Sequence, residues 1–274
     1  MRFRKIKREE INVCVLRVGG TNCDLETQRA FQELGVRAKT VHVNELIKKR
    51  NLMDFQILVI PGGFSFGDYV RAGVILARIL SAKLDKEIKA FVEDNRAILG
   101  ICNGFQVLVE YGLLPGFEGT SVYPEATLTT NIPQGYNCRW VYVKQENKNR
   151  CRFTNKIPFG KILNLPIAHS EGRFLFPKKN QELLVDKLYE NDMVVLRYCN
   201  EKGDLADSKY PSNPNGSLQD IAGICNKEGN IFGLMPHPER AFYWWQKPDW
   251  TKNKKKSGYS DGKLIFENII TNLI

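Results

Sequence analysis

Three times within its first hundred or so residues the chain runs an apolar stretch straight into a glycine-rich turn: INVCVLRVGGTN (11–22), FQILVIPGGFSFGD (55–68) and AILGICNGF (97–105). A strand with one wet face alternates apolar and polar residues, whereas strands that are apolar throughout are buried on both faces, as in parallel sheets covered by helices. Helical spacing lies between these runs. LETQRAFQELG carries Leu25, Ala30, Phe31 and Leu34 at helical intervals and stops at Gly35, with Asp24 placed to cap it. Two further helical patterns fall at 70–80 and 84–95, and VRAKTVHV supplies another strand. This predicts an α/β fold with a mostly parallel central sheet flanked by helices. In such sheets the working residues gather at the carboxyl ends of the strands, so the three glycine-rich ends are expected to converge on one edge.

Beyond Pro115 the pattern turns more β-like. TLTTNI, CRWVYVKQ, KILNLPIA and MVVLRYCN read as strands, with a helix at 181–191 and a hairpin in IAGICNKEGNIFGL whose turn is 226–229. YWWQKPDWTKNKKKSGYSDG reads as an exposed insertion and KLIFENIITNLI as a closing amphipathic helix. With no repeat and no linker, residues 1–274 are expected to form a single domain with extra β elements. Hydrophobic content of 43% and charged content of 26% are ordinary for a globular chain. No apolar run approaches the roughly 18 residues that span a bilayer, and the opening MRFRKIKREE is not read as a secretion signal. The net charge of +10 is concentrated in RFRKIKR and in KNKKK at 252–256. Without an aromatic-interleaved basic motif it is expected to be a solvated surface, with no nucleic acid or membrane as partner. Seven cysteines without CxxC pairing and three scattered histidines predict reduced thiols in a cytoplasm and no metal site.

Cys102 differs from the other cysteines in its setting, Gly-Ile-Cys-Asn-Gly, between an apolar strand and a helical pattern. A nucleophile on such a turn is held in a strained conformation clear of the sheet. Flanking glycines let strand and helix approach closely, and a helix N-terminus favours thiolate over thiol. The alternative is a small packed hydrophobe. A nucleophile needs a base. His42 lies in an alternating strand and is expected to be structural, His169 in IAHSEGRF remains a candidate, and His237 is boxed between Pro236 and Pro238. The second proline favours an extended backbone at His237, so residues i and i+2 share a face and Glu239 can orient the ring. A cysteine nucleophile with a histidine base and a carboxylate is suited to acyl transfer. The backbone amides of Asn103 and Gly63 are candidate donors for the oxyanion.

PGG, GICNG and HPE in this order resemble the class I, or triad, glutamine amidotransferases, whose fold is flavodoxin-like. Within them GTNCD, PGGFSFGDYVRAG, GICNGFQVL, LPIAHSEGRF, NPNGSLQDIAGICNKEGNIF and MPHPERA resemble the family of glutaminase subunits of phosphoribosylformylglycinamidine synthase, over about 11–240. The resemblance implies that Cys102 attacks the side-chain amide of glutamine, that His237 acts as base and then acid, and that Glu239 orients it. Ammonia would pass to a separate synthetase subunit, which converts formylglycinamide ribonucleotide to the amidine in purine biosynthesis, with a small subunit bridging the two. No cofactor is implied in this chain; ATP and Mg belong to the synthetase, and no ATP-grasp or P-loop motif is present here. Gln106 and the loop holding Gly62 and Phe64 match positions that contact glutamine or shape its pocket. Two departures from the family pattern stand out: Gly19-Gly20 where Pro-Gly is usual, and His169-Ser170 where His-Gly is usual. The competing readings are a glutaminase subunit for another synthetase, or a non-catalytic α/β protein whose cysteine senses oxidants; the latter has no need of His237 and Glu239.

Overall fold

A computed structural model describes residues 6–252 and 258–274; most of the two basic segments lies outside the described residues. The first half alternates strand and helix as the apolar runs require: β1 (Asn12–Arg17), α1 (Asp24–Glu33), β2 (Arg37–His42), α2 (Val43–Lys49), β3 (Ile57–Ile60), α3 (Val74–Glu93), β4 (Ala97–Ile101) and α4 (Asn103–Tyr111). The second half contributes β5 (Thr127–Thr129), β6 (Asn137–Gln145), β7 (Ile162–His169), β8 (Arg173–Leu175), α5 (Gln181–Glu190), β9 (Val194–Cys199), β10 (Ile221–Cys225), β11 (Ile231–Leu234) and α6 (Lys263–Leu273).

Among the described residues nine strands form one sheet in the order β2-β1-β3-β4-β11-β10-β9-β6-β7, and β5 pairs with β8 apart from it. The pairs β2–β1, β1–β3, β3–β4 and β4–β11 are parallel. From β11 onward every pair is antiparallel, through β10, β9, β6 and β7. The predicted hairpin is present, its turn closed by the Gly229 N–H on the Asn226 carbonyl. Because β11 is parallel to β4, the ends of β1, β3, β4 and β11 all open on one edge of the sheet.

Several local expectations change. The two patterns at 70–80 and 84–95 are a single helix, α3, kinked at Leu84 (φ −131°) and beginning only at Val74; Val70 is 74% exposed in the loop before it. Asp24 is the first residue inside α1 rather than its cap, which is Cys23. The Asp24 carboxylate lies 3.4 Å from the Arg17 guanidinium, at the helix end where negative charge is favoured. Leu25, placed with the core face by spacing, is exposed. His42 is structural as expected: its Nδ1 accepts the Asn44 N–H and caps α2.

α4 is buried around its whole circumference, so its polar residues must find partners inside the protein. They do. Asn103 Nδ2 donates to Asp68 Oδ1 (3.2 Å) and to Gln106 Oε1 (3.1 Å), and Gln106 Nε2 donates to the Glu171 carbonyl (2.6 Å). Glu110 pairs with Arg71, which also donates to Thr127 Oγ1. These contacts tie the 62–73 loop to the helix that follows Cys102. The helix lies so close to β3 that a Cβ at Gly104 would stand 1.8 Å from the Ile60 carbonyl oxygen. Backbone cannot yield that much, so Gly104→Ala should cost roughly 2–4 kcal/mol in urea denaturation. Gly19→Ala, where a Cβ meets nothing within 4 Å, should stay within about 0.5 kcal/mol; equal effects of the two would refute this packing.

Candidate active site

Cys102 sits between the last residue of β4 and the first of α4, with φ 51° and ψ −104°. A side chain in that region of backbone space is strained and persists only where its surroundings hold it. Here its N–H donates to the Leu234 carbonyl (2.8 Å) while its carbonyl receives the Phe105 and Gln106 N–H groups. Cys102 is 4% exposed and its S–H points to the Ala168 carbonyl at 3.6 Å. The Asn103 amide begins α4 and has no acceptor within the helix. Gly63 makes an isolated bridge to Thr21, and the Gly62 carbonyl accepts the Asn22 and Cys23 N–H groups, so the β1 and β3 turns are stitched together.

His237 follows β11, and its N–H donates to the Pro166 carbonyl of β7 (2.8 Å). The pairing expected of residues i and i+2 is present, with Nδ1 2.6 Å from Glu239 Oε1 and both side chains buried. The backbone route to it differs. His237 itself is extended, but Pro238–Ala241 is a turn of 3₁₀ helix with proline at its first position, a place where a missing N–H costs nothing. Burial pulls the imidazolium down, yet the Glu239 carboxylate and the Cys102 sulfur outweigh it and raise the pKa of His237 well above the ordinary range. Nε2 is buried and, among the described residues, engages no nitrogen or oxygen partner, while the ring lies close enough to Cys102 for the two side chains to interact. Gly62 makes room for the ring: a Cβ there would lie 2.6 Å from His237 Cε1.

Spacing gave no hint of Cys23. Its sulfur lies 3.8 Å from His237 Nδ1 and receives the Arg240 guanidinium at 3.2 Å, while Arg240 pairs with Glu26 at 2.6 Å. Burial pushes its thiol up to about 12, with the His237 hydrogen bond acting the other way. Cys23, His237 and Glu239 therefore bring ligand-type atoms within 4.8 Å of one another, a cluster that the reading of scattered histidines did not anticipate. Nδ1 is held by Glu239 and the Arg240 guanidinium lies on the sulfur, so the three side chains are joined by hydrogen bonds behind the histidine. GTNCD at the end of β1 was the only signal for it.

Phe64 and Tyr136, both partly exposed, lie with their ring centroids 6.2 Å apart and their planes tilted by 31°; Tyr136 is near enough to Cys102 to interact with it electrostatically, so this pair flanks the site. Gln106, by contrast, is 4% exposed with both ends of its amide engaged by protein groups, and braces Asn103 against Glu171.

The comparisons with known proteins fit this geometry. Residues 10–271 match the family described as CobB/CobQ-like glutamine amidotransferase domain. The chain belongs to this family. Phosphoribosylformylglycinamidine synthase subunit PurQ from Archaeoglobus fulgidus is 44% identical over 273 residues, covering 96% of this chain and 97% of that protein. The subunit of the same description from Methanococcus maripaludis is 42% identical, covering 95% and 93%. Among solved structures, PurLQS from Thermotoga maritima contains a chain 34% identical with a TM-score of 0.71, covering 97% of this chain and all of that one. Cys102 and the His237–Glu239 pair lie at the ends of β4 and β11, on the edge of the sheet where β1 and β3 also end.

His169, at the end of β7, is buried without a charged partner, which lowers its pKa to about 3, with a smaller push from His237. An unfolded histidine titrates near 6.5. Between those values the unfolded chain binds a proton that the folded one refuses, so this contribution to stability is complete above about pH 6.5 and declines as pH falls. His169→Phe should lessen the drop in urea-measured stability between about pH 6.5 and pH 4.5; an unchanged slope would contradict the assignment.

Proposed function

We propose that this chain is the glutaminase subunit of phosphoribosylformylglycinamidine synthase, one domain working as class I triad amidotransferases do. The single observation that carries the reading is the strained Cys102 turn facing a buried His237–Glu239 pair. Glutamine enters with its side-chain amide over Cys102. His237 Nε2 takes the thiol proton while Glu239 holds Nδ1–H and offsets the imidazolium charge. The sulfur attacks the amide carbon, and the Asn103 and Gly63 amides receive the oxyanion. On collapse the C–N bond breaks, His237 returns its proton to the leaving nitrogen, and ammonia departs from a γ-glutamyl thioester. A water, deprotonated by His237, then hydrolyses the thioester to glutamate and restores the thiol. Gly62 and Phe64 shape the pocket, and Gln106 holds its floor through Asn103.

The names of the PurQ relatives and the subunit composition of PurLQS support a synthetase subunit and a small bridging subunit as partners. The ammonia is used there, with ATP and Mg²⁺ bound by the synthetase, to convert formylglycinamide ribonucleotide to formylglycinamidine ribonucleotide in de novo purine synthesis. The seven free thiols accord with a cytoplasmic setting, and among the described residues no helix is long and apolar enough to cross a membrane.

In the assembled complex Cys102→Ala should reduce glutamine-dependent turnover by roughly 10,000-fold or more, while ammonia-dependent turnover stays near that of the parent. Glu239→Gln, which keeps the shape but not the charge, should lose about 1,000-fold or more of the glutamine-dependent rate. Retention of glutaminase activity by Cys102→Ala would end this reading.

A further inference from the structure

His169 takes no part in the chemistry above, yet it lies in the strand end that lines the cysteine. The Ala168 carbonyl before it receives Cys102 S–H, and the Glu171 carbonyl after it receives Gln106. Its side chain is buried, and among the described residues neither ring nitrogen has a hydrogen-bond partner. Buried polar atoms are nearly always paired, so two orphans on one ring call for a partner that arrives from outside. The ring is held in place. A Cβ on Gly172 would stand 2.2 Å from its Cε1, and Asn131 pins the turn by donating to the His169 carbonyl (3.0 Å) and accepting the Gly172 N–H (2.9 Å). His237 is near enough for the two rings to interact electrostatically.

An ordered water would need two to four polar partners of its own, and the Asn131 side-chain amide and the Gly172 N–H of this turn are taken. The Asn131 amide is shared between the His169 and Gly135 carbonyls, its oxygen is on Gly172, and the Glu171 carbonyl is on Gln106. A ligand carrying both a donor and an acceptor suits the ring better, because a neutral imidazole offers one of each. Glutamine is such a ligand. A neutral ring also leaves unopposed the positive charge that His237 acquires during the reaction, whereas a second imidazolium would repel it.

We propose that His169 is a glutamine-binding residue of this site, its neutral imidazole hydrogen-bonding the substrate when it enters. The proposal rests on the glutaminase reading above. Its test is glutamine hydrolysis by the full chain assembled with its synthetase and small subunits, measured against glutamine concentration for the parent, His169→Phe and His169→Gln. Phenylalanine keeps the ring and removes both nitrogens; glutamine restores one donor and one acceptor. Loss of the hydrogen bond should raise KM in His169→Phe about tenfold or more while kcat stays within about threefold, with His169→Gln between it and the parent. The melting temperature at neutral pH should not fall, since the substitution removes orphaned polar atoms. KM within about twofold of the parent in both variants overturns the proposal, as does a fall in kcat with KM unchanged. Should His169→Phe fail to fold, His169→Gln is read alone, and an unchanged KM overturns the proposal. A parent complex that hydrolyses no glutamine would refute the glutaminase reading itself; an active parent with indifferent variants refutes only the role of His169.

Discussion

Helix α4 starts against the carbonyl of Ile60 with no space for a side-chain carbon at position 104, and everything at the active edge follows from that contact. To bring the helix so near β3, the chain must reverse within one residue on leaving β4, and Cys102 takes the left-handed backbone that permits it. The strain is held by hydrogen bonds on both sides of the peptide, to Leu234 ahead and from the first turn of α4 behind. The backbone of Cys102 is thereby held in one place at the strand-to-helix turn, the preorganisation that the proposed acyl transfer would use.

Burial sets the electrostatics of the pair that faces it. His237 and Glu239 are removed from water, so their attraction is screened little and raises the affinity of the ring for a proton despite the cost of desolvation. Cys23, Arg240 and Glu26 extend the chain of contacts to the surface behind the histidine. The ring is thereby held from behind by two elements, the start of α1 and the turn after β11, while β7 fixes its backbone. The antiparallel half of the sheet earns its place here: β7 provides the carbonyls of Pro166 and Ala168 that meet His237 and Cys102.

The parallel half of the fold was legible because β1, β3 and β4 are almost wholly apolar and run into glycine-rich turns, a pattern that helices on two sides impose. The contact of His237 with Glu239 was legible for a similarly local reason: Pro-His-Pro-Glu confines two side chains within three residues. Features carried by tertiary packing were not. α3 continues through Leu84 because its buried face, Leu76, Leu80, Leu84, Ile88 and Phe91, stays in the core along its whole length, where periodicity alone showed a break. Leu25 is exposed because α1 turns its Asp24, Thr27, Ala30 and Phe31 face inward, and Asp24 leaves the cap to Cys23. The pairing of β6 with β9, the contact of Gln106 with the Glu171 carbonyl and the place of Cys23 beside His237 all join residues more than 50 positions apart, a distance at which one sequence carries no pairing signal.

The account depends on an acyl group residing on one sulfur during turnover. Acid quenching of the assembled complex within milliseconds of mixing with glutamine, followed by proteolysis and mass spectrometry, reads this directly. A single glutamyl increment on the peptide carrying Cys102, labile to hydroxylamine and absent when glutamate replaces glutamine, is the predicted result. Turnover without any acyl adduct on Cys102, or with the adduct on Cys23, would contradict it.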